Sequence, residues 1–502
     1  MSLLRTSAHW WHFITSRVIS SPLYVFSLLR KLHLFRSLSW STPTSKDVTS
    51  KSSQKVLQEL PVELLTELMR YLEWYEVLSL RQTCKRIHAA SQERAIWLTL
   101  LQRYIKTVEP RAYWPDRPLN FYNSQELESL VLRRHQVASS WSKPDSSPSL
   151  HRQFLAPNRR IKTSYLVRGG RWFLVTNTQG DILYFDLDDT EATARILIPS
   201  RYPPSTKVYL HMSVDMDNDA PFLTFNLAAQ VQCYVAGHQN FNSLFQIWRI
   251  TPKINECGRI VDLVADNKAS FMEEKDVEIS RLSLHGSYIT YSIEHCGTGR
   301  RFTCVVDWTM TSETSLSYRR NLIAEMFDWV TFLPDNWLIC NRDAYLHLYH
   351  LSDLPETTLP ISQCIRPNTS PRRELALYSR NFSEAFTVRD SQRHVFSTCN
   401  KVMGIIFPHQ NPVDAEVVTL YQDGVLLDGA QLAYNFAASM ITEPKLSILH
   451  YSWPEIGTGG GATSKEYTLL KRPHRIHLDE VSGRLVISGG SGQVYNVVEF
   501  SI

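Results

Sequence analysis

Apolar residues recur at helical spacing between about 60 and 105, then alternate singly with polar ones beyond about 158. This change of period predicts a short helical part followed by a larger β part. The helical part reads LQELPVELLTELMRYLEWYEVLSLRQTCKRIHAASQERAIWLTLLQRYI over 57–105. Pro61 suits a first helical turn, where its missing N–H is not needed, and Glu63 follows at the positive end of the helix dipole. Leu64, Leu65, Leu68, Met69 and Leu72 form one apolar stripe. Val77, Leu80, Cys84 and Ile87 form a second, with Lys85 and Arg86 expected near that helix's C-terminal end. Trp97, Leu100, Leu101 and Tyr104 form a third. Three helices this short carry more apolar surface than they can hide among themselves, which points to a docking module and not to a reaction centre.

Polar sequence surrounds this module. Residues 41–55 (STPTSKDVTSKSSQK) read as a linker. A helix is expected from about Ser124, as its cap, to Val137, with Leu127, Leu130, Val131 and Arg134 in phase. WSKPDSSPS (141–149) reads as a second boundary. Within 161–187 three strands are expected, Thr163–Val167, Trp172–Thr176 and Ile182–Asp186, with turns at Gly169-Gly170 and Gln179-Gly180. A comparable unit closes the chain at 474–500, and weaker ones lie at 206–250, 276–308, 325–351 and 395–430. Strand–turn–strand units repeating at roughly 40–60 residues indicate propeller blades, six or seven of them; a pair of packed sheets is the alternative. The expected fold is therefore α+β and multidomain. Residues 1–50 are leader and linker, 51–106 the helical module, 107–142 a helical connector, 143–158 a linker and 159–502 an all-β domain.

The order L-P-x-E-L-L-x-x-L-x-x-x-L, then L-x-x-x-C-K-R and a later Trp, closely resembles the F-box. The matching residues are Leu60, Pro61, Glu63, Leu64, Leu65, Leu68, Leu72, Leu80, Cys84, Lys85, Arg86 and Trp97; Thr83 and Ile87 depart from the pattern. In that family the segment binds a Skp-type adaptor and so hangs the protein on a cullin–RING ubiquitin ligase. The resemblance implies that Leu60, Pro61, Leu64, Leu65 and Leu68 bury against the adaptor. The first β unit is similar to a WD40 repeat, with GGRW (169–172) opening a strand and Phe185-Asp186 where WD ends one, although the GH dipeptide is absent. The order of F-box, helix and WD40-like units is similar to that of many fungal F-box proteins.

Composition narrows the chemistry. Hydrophobic residues make up 43% and charged ones 20%, an ordinary globular mixture. The net charge of +4 comes from residues 1–46, which hold six Lys or Arg and no acid, leaving 47 basic against 49 acidic residues beyond. A near-neutral body gives no electrostatic case for nucleic acid. The acid-free leader, with Trp10, Trp11, Phe13, Tyr24, Phe26 and Leu32, reads as a disordered leader, a mitochondrial targeting segment or a peripheral membrane helix. No stretch reaches the roughly 18 apolar residues of a transmembrane helix. The eight Cys are scattered without C-x-x-C, which fits a reducing compartment, cytoplasmic or nuclear.

Catalytic patterns are absent. IGTGGGATSKEY (456–467) separates Lys465 from its last Gly by three residues, unlike a phosphate loop. His474 and His477 would face opposite sides of a strand, a poor metal geometry; His285 and His295 lie near Cys296 and Cys304 without ligand spacing. Asp188-Asp189 and Glu273-Glu274 read as solvated turn charges. No metal or cofactor is expected. The resemblance then implies a non-catalytic substrate receptor of an SCF-type ubiquitin ligase, with an adaptor, a cullin–RING scaffold and a protein substrate as partners. The alternatives are an F-box scaffold outside a ligase and a propeller enzyme with a chance F-box-like segment.

Overall fold

The computed structural model describes residues 60–107, 114–142, 150–155, 161–203, 206–234, 241–312, 317–379, 381–398, 401–422, 430–442, 445–454, 462–468, 473–489 and 494–500. The leader, most of the linker at 143–149 and the glycines of 457–461 lie outside them. The chain divides into two compact units, 1–100 and 101–502.

In the first unit, helices α1 (Val62–Tyr71), α2 (Trp74–Arg81) and α3 (Lys85–Ala90) precede α4, which begins at Arg94 and runs to Thr107. Pro61 caps α1 at φ −52°. A capping box opens α2, in which the Glu76 carboxylate accepts from the Glu73 N–H at 2.9 Å. The end of α2 differs from expectation. Thr83 donates its hydroxyl to the Leu80 carbonyl at 2.7 Å, and Cys84 turns extended at φ −158°. A separate helix therefore starts at Lys85, so Lys85 and Arg86 sit in the first turn of α3 and not in the last turn of α2. The dipole disfavours cations there; Arg86 gains a partner by donating to the Leu60 carbonyl at 2.7 Å.

The second unit holds seven antiparallel sheets of four or five strands. In chain order they begin at Ile161, Lys207, Val277, Trp329, Asn381, Gln431 and Pro473, and are numbered blades 1 to 7. In blade 1 the strands Ile161–Leu166, Trp172–Asn177 and Ile182–Asp186 lie where the alternation places them. Gly169 and Gly170 supply the positive φ, +96° and +73°, that turns the first into the second. Apolar faces of successive sheets share cores: Leu174 and Tyr184 with Phe225 and Leu227 between blades 1 and 2, Phe245 and Phe271 with Tyr291 between 2 and 3, Ile339 and Leu348 with Phe396 and Phe407 between 4 and 5. Blade 7 shares one core with blade 6 and another with blade 1. The sheets thus form a closed seven-bladed β-propeller.

Closure uses a strand that the sequence hid. Leu150–Leu155, inside the stretch read as a linker, pairs antiparallel with Val494–Glu499 as the outer strand of blade 7. Phe154 stacks on Tyr495 at 5.3 Å and meets Phe185 at 4.7 Å. Around this seam Glu499 accepts from Arg484 at 2.7 Å and Arg152 at 3.3 Å, and Arg484 also pairs with Asp188 at 2.6 Å. Asp188 is therefore a turn charge that is ion-paired while still 40% exposed; its carboxyl is held below the usual carboxylate range, the desolvation that would raise it being outweighed by the Arg484 and Arg171 charges. Glu273, by contrast, is buried, bonded to Arg320 at 2.6 Å and to the Tyr291 hydroxyl at 2.9 Å, while Glu274 accepts from the Ser362 N–H.

The connector packs on the propeller. Its helix α5 (Ser124–Ser142) is capped by Asn123, one residue before the expected Ser124: Asn123 Oδ1 accepts from the Glu126 N–H at 2.9 Å and Glu126 returns the bond at 2.8 Å. Trp114 donates to the Asp217 carbonyl, Arg117 to that of Gly258, and Arg171 of blade 1 reaches Asp116 at 3.2 Å. Val137 lies in the core with Leu485 and Phe500. These partners sit in or beside loops joining first to second or third to fourth strands, which share one end of the ring. Across the channel, Arg168 and Tyr165 of blade 1 bond Glu384 of blade 5 at 2.9 and 2.6 Å, tying two blades that are not neighbours.

Histidines in two blades give the propeller an acid limit: burial pushes the pKa of His477 in blade 7 down to about 4, and His394 contributes in the same sense. His394 in blade 5 is fully buried; Gln392 Nε2 lies 3.3 Å from His394 Nε2, and His394 Nδ1 lies 3.5 Å from the Ser383 carbonyl, contacts that suit a neutral ring. Burial pushes its pKa down to about 4. The unfolded ring takes its proton near pH 6.5, so stability is complete above that value and is lost as pH falls toward 4. The share of His394 in this loss is expected to reach about 3 kcal/mol. Urea melts of the full chain between pH 7 and 4 check this, and His394→Gln should flatten the slope.

Candidate docking surface of the helical module

The five-residue stripe of α1 is too wide for one core, and the structure splits it. Leu65, Met69 and Leu72 are buried with Val77, Ile87 and Trp97. Trp97 is fixed by its indole N–H to the Ser91 carbonyl at 2.8 Å, and Arg81 bonds the Ser91 hydroxyl while lying 5.4 Å from the Trp97 ring. Arg70 reaches Thr99 of α4 at 3.1 Å. The outward side of α1 carries Pro61, Leu64, half-buried Leu68 and Tyr71, with Leu64 54% and Tyr71 61% exposed. Exposed Val62 and Tyr75 add to this apolar surface.

The twelve F-box positions therefore fall into groups. Leu60, Pro61, Glu63, Leu64 and Leu68 are at or partly at the surface, as are Leu80, Cys84, Lys85 and Arg86. Leu65, Leu72 and Trp97 fill the module's own core. Leu65 was expected to bury against an adaptor; at 1% exposure it has no surface left for a partner to cover. Val62, Tyr71 and Tyr75 escaped the sequence argument, although Tyr71 lies three residues after Leu68 on the same face. The surface is apolar with Glu63, Lys85 and Arg86 in the same module, a composition suited to burial against another protein. Among the described residues no group of three or more His, Cys, Asp or Glu converges to hold a metal, and no helix is long and apolar enough to cross a membrane.

The F-box-like family model matches residues 57–103. No curated protein matches the chain. The β-propeller domain of Cps50 (Swd1) from Myceliophteria thermophila is similar at 10% identity, over 70% of this chain and 99% of that one, with a TM-score of 0.40. The WD40 domain of SCAP from fission yeast is similar at 11% identity, over 70% and 98%, with a TM-score of 0.32. The Neurospora crassa Pan2 WD40 domain is similar at 7% identity, over 70% and 96%, with a TM-score of 0.35. The chain thus joins an F-box-like domain, residues 57–103, to a seven-bladed β-propeller.

Proposed function

We propose that this chain is the substrate-recognition subunit of an SCF-type (Skp–cullin–F-box) E3 ubiquitin ligase. The observation that carries the proposal is the outward row Pro61, Leu64, Leu68 and Tyr71, apolar and at least partly exposed on an F-box-like module whose core is already filled. A Skp-type adaptor covering this row would hang the chain on a cullin and its RING partner, which bring the E2. The receptor then acts by raising the local concentration of substrate near the E2, with no reacting side chain and no cofactor of its own. The propeller receives the protein substrate. Because the connector occupies one end of the ring along blades 7, 1 and 2, the recognition surface is assigned to the opposite end, where second strands turn into third and blades join.

Reconstitution tests the proposal. The full chain mixed with adaptor, cullin and RING subunit should elute as one complex and, with E1, E2 and ubiquitin, support ubiquitin transfer within it. Adaptor binding without cullin would favour a scaffold outside a ligase, and no adaptor binding would reject both.

A further inference from the structure

Between the third strand of blade 4 (Tyr345–His350) and its fourth (Arg373–Ala376), residues 351–372 make a detour over blade 3. Glu356 and Thr357 pair with Asn321 and Arg320 as a fifth strand on that blade. Ile361 and Cys364 are buried in the core between blades 2 and 3, and Arg300 bonds the carbonyls of Ser362 and Cys364, each at 2.7 Å. The chain is caught again where Thr369 accepts from the Ala324 N–H at 3.3 Å and Arg372 donates its N–H to the Leu348 carbonyl at 2.7 Å. Between Cys364 and Arg372 residues 365–371 have no regular secondary structure, Thr369 being held through its hydroxyl alone, and Ile365 is 87% exposed.

Ser370 lies in this span, exposed, with its hydroxyl in no hydrogen bond. Pro371 follows it, then Arg372 and Arg373. We propose that Ser370 is an acceptor site for a proline-directed serine/threonine protein kinase. A kinase must lay its substrate out as an extended strand, and this span has few backbone bonds to break first. Proline brings no N–H to be buried unsatisfied in the subsite after the acceptor, and the guanidinium of Arg373 offers a charged contact three residues on. The other Ser-Pro and Thr-Pro pairs differ. Thr251-Pro252 sits within the strand Phe241–Ile254, paired across to Val264 and Leu263. Ser21, Thr42 and Ser147, outside the described residues, have no basic residue two or three positions later.

In the reaction, the Ser370 Oγ attacks the γ-phosphorus of Mg-ATP and forms the new P–O bond. The bond from that phosphorus to the β–γ bridging oxygen breaks, ADP leaves, and the hydroxyl proton passes to the kinase's general base. The product adds roughly two negative charges beside Arg372 and Arg373. Arg372 now pairs with Asp353 at 2.5 and 2.9 Å, an exposed pair of the weak kind, so the phosphate competes directly with Asp353 for it.

The full chain is incubated with a proline-directed kinase and Mg-ATP, and the peptide containing Ser370 is followed by mass spectrometry. Phosphate should appear on Ser370, with the rate at least tenfold lower in Pro371→Ala and several-fold lower in Arg373→Ala. Pro371 is half-buried in the irregular span and Arg373 is the half-buried first residue of the fourth strand, paired with Leu348, so unaltered melting of both variants is checked first. Phosphorylation of a free peptide spanning 364–376 but not of the folded chain would overturn the proposal. An undiminished rate in Pro371→Ala would overturn it too.

Discussion

Replacing Phe154 by Ala in the full chain is expected to destabilise the propeller by about 3–5 kcal/mol, the range for emptying a buried Phe site. The residue precedes the first complete blade, yet it is buried among Phe173, Phe185 and Tyr495 at the seam where blade 7 meets blade 1. Deleting 150–155 altogether should do more. It strips the outer strand from blade 7, exposes the ladder of Val494–Glu499, and removes Arg152 from Glu499. An open edge of this kind pairs with other chains, so the deletion should aggregate as well as melt early. Removal of 484–502 should have a similar effect, because it takes two strands from the same blade. Chemical melts and light scattering read both outcomes; a monomeric deletion variant with an unchanged midpoint would mean that the seam contributes nothing to closure.

The second large effect separates two adjacent leucines. Leu65→Ala should destabilise the helical module by about 2–5 kcal/mol, since the side chain is fully buried. Leu64→Ala, on an exposed site, should change stability by less than about 0.5 kcal/mol yet weaken adaptor binding. Burial of a leucine is worth about 1.5–3 kcal/mol, and just over half of this one is open to be covered. A loss near tenfold in affinity per exposed leucine is therefore expected. Circular dichroism melts and adaptor titrations of the two variants should give opposite rankings. Equal effects on both readouts would remove the distinction between core and docking face.

What was legible in the sequence follows from how local each interaction is. Blade 1 could be read strand by strand because its turns carry Gly169, Gly170 and Gly180 and its partners are neighbours in sequence. The strand Leu150–Leu155 could not, because its partner is Val494–Glu499, at the far end of the chain, and its flank SSPS reads as a linker. Glu356–Thr357, two residues between prolines 355 and 360, is too short to show any period. Glu273 looked solvated because its partners Arg320 and Tyr291 come from blade 3. In the helical module the F-box positions were visible as a pattern, but a pattern of leucines does not say which side faces inward. That needed the fold, in which Leu65 is buried and Leu64 is 54% exposed. The capping residue of α5 was one position off because Asn123 and Ser124 cap equally well; Glu126, three residues after Asn123, was the sign that favoured Asn123.

The central claim is that the outward face of α1 docks a Skp-type adaptor. Its most direct test is a calorimetric titration of adaptor into the full chain and into the double variant Leu60→Ala with Pro61→Ala, with the melting of both chains checked first. The account predicts a saturable complex for the natural chain and binding weakened at least tenfold in the variant, with the propeller melting unchanged. Equal affinity for both chains, or no binding by the natural one, would contradict it.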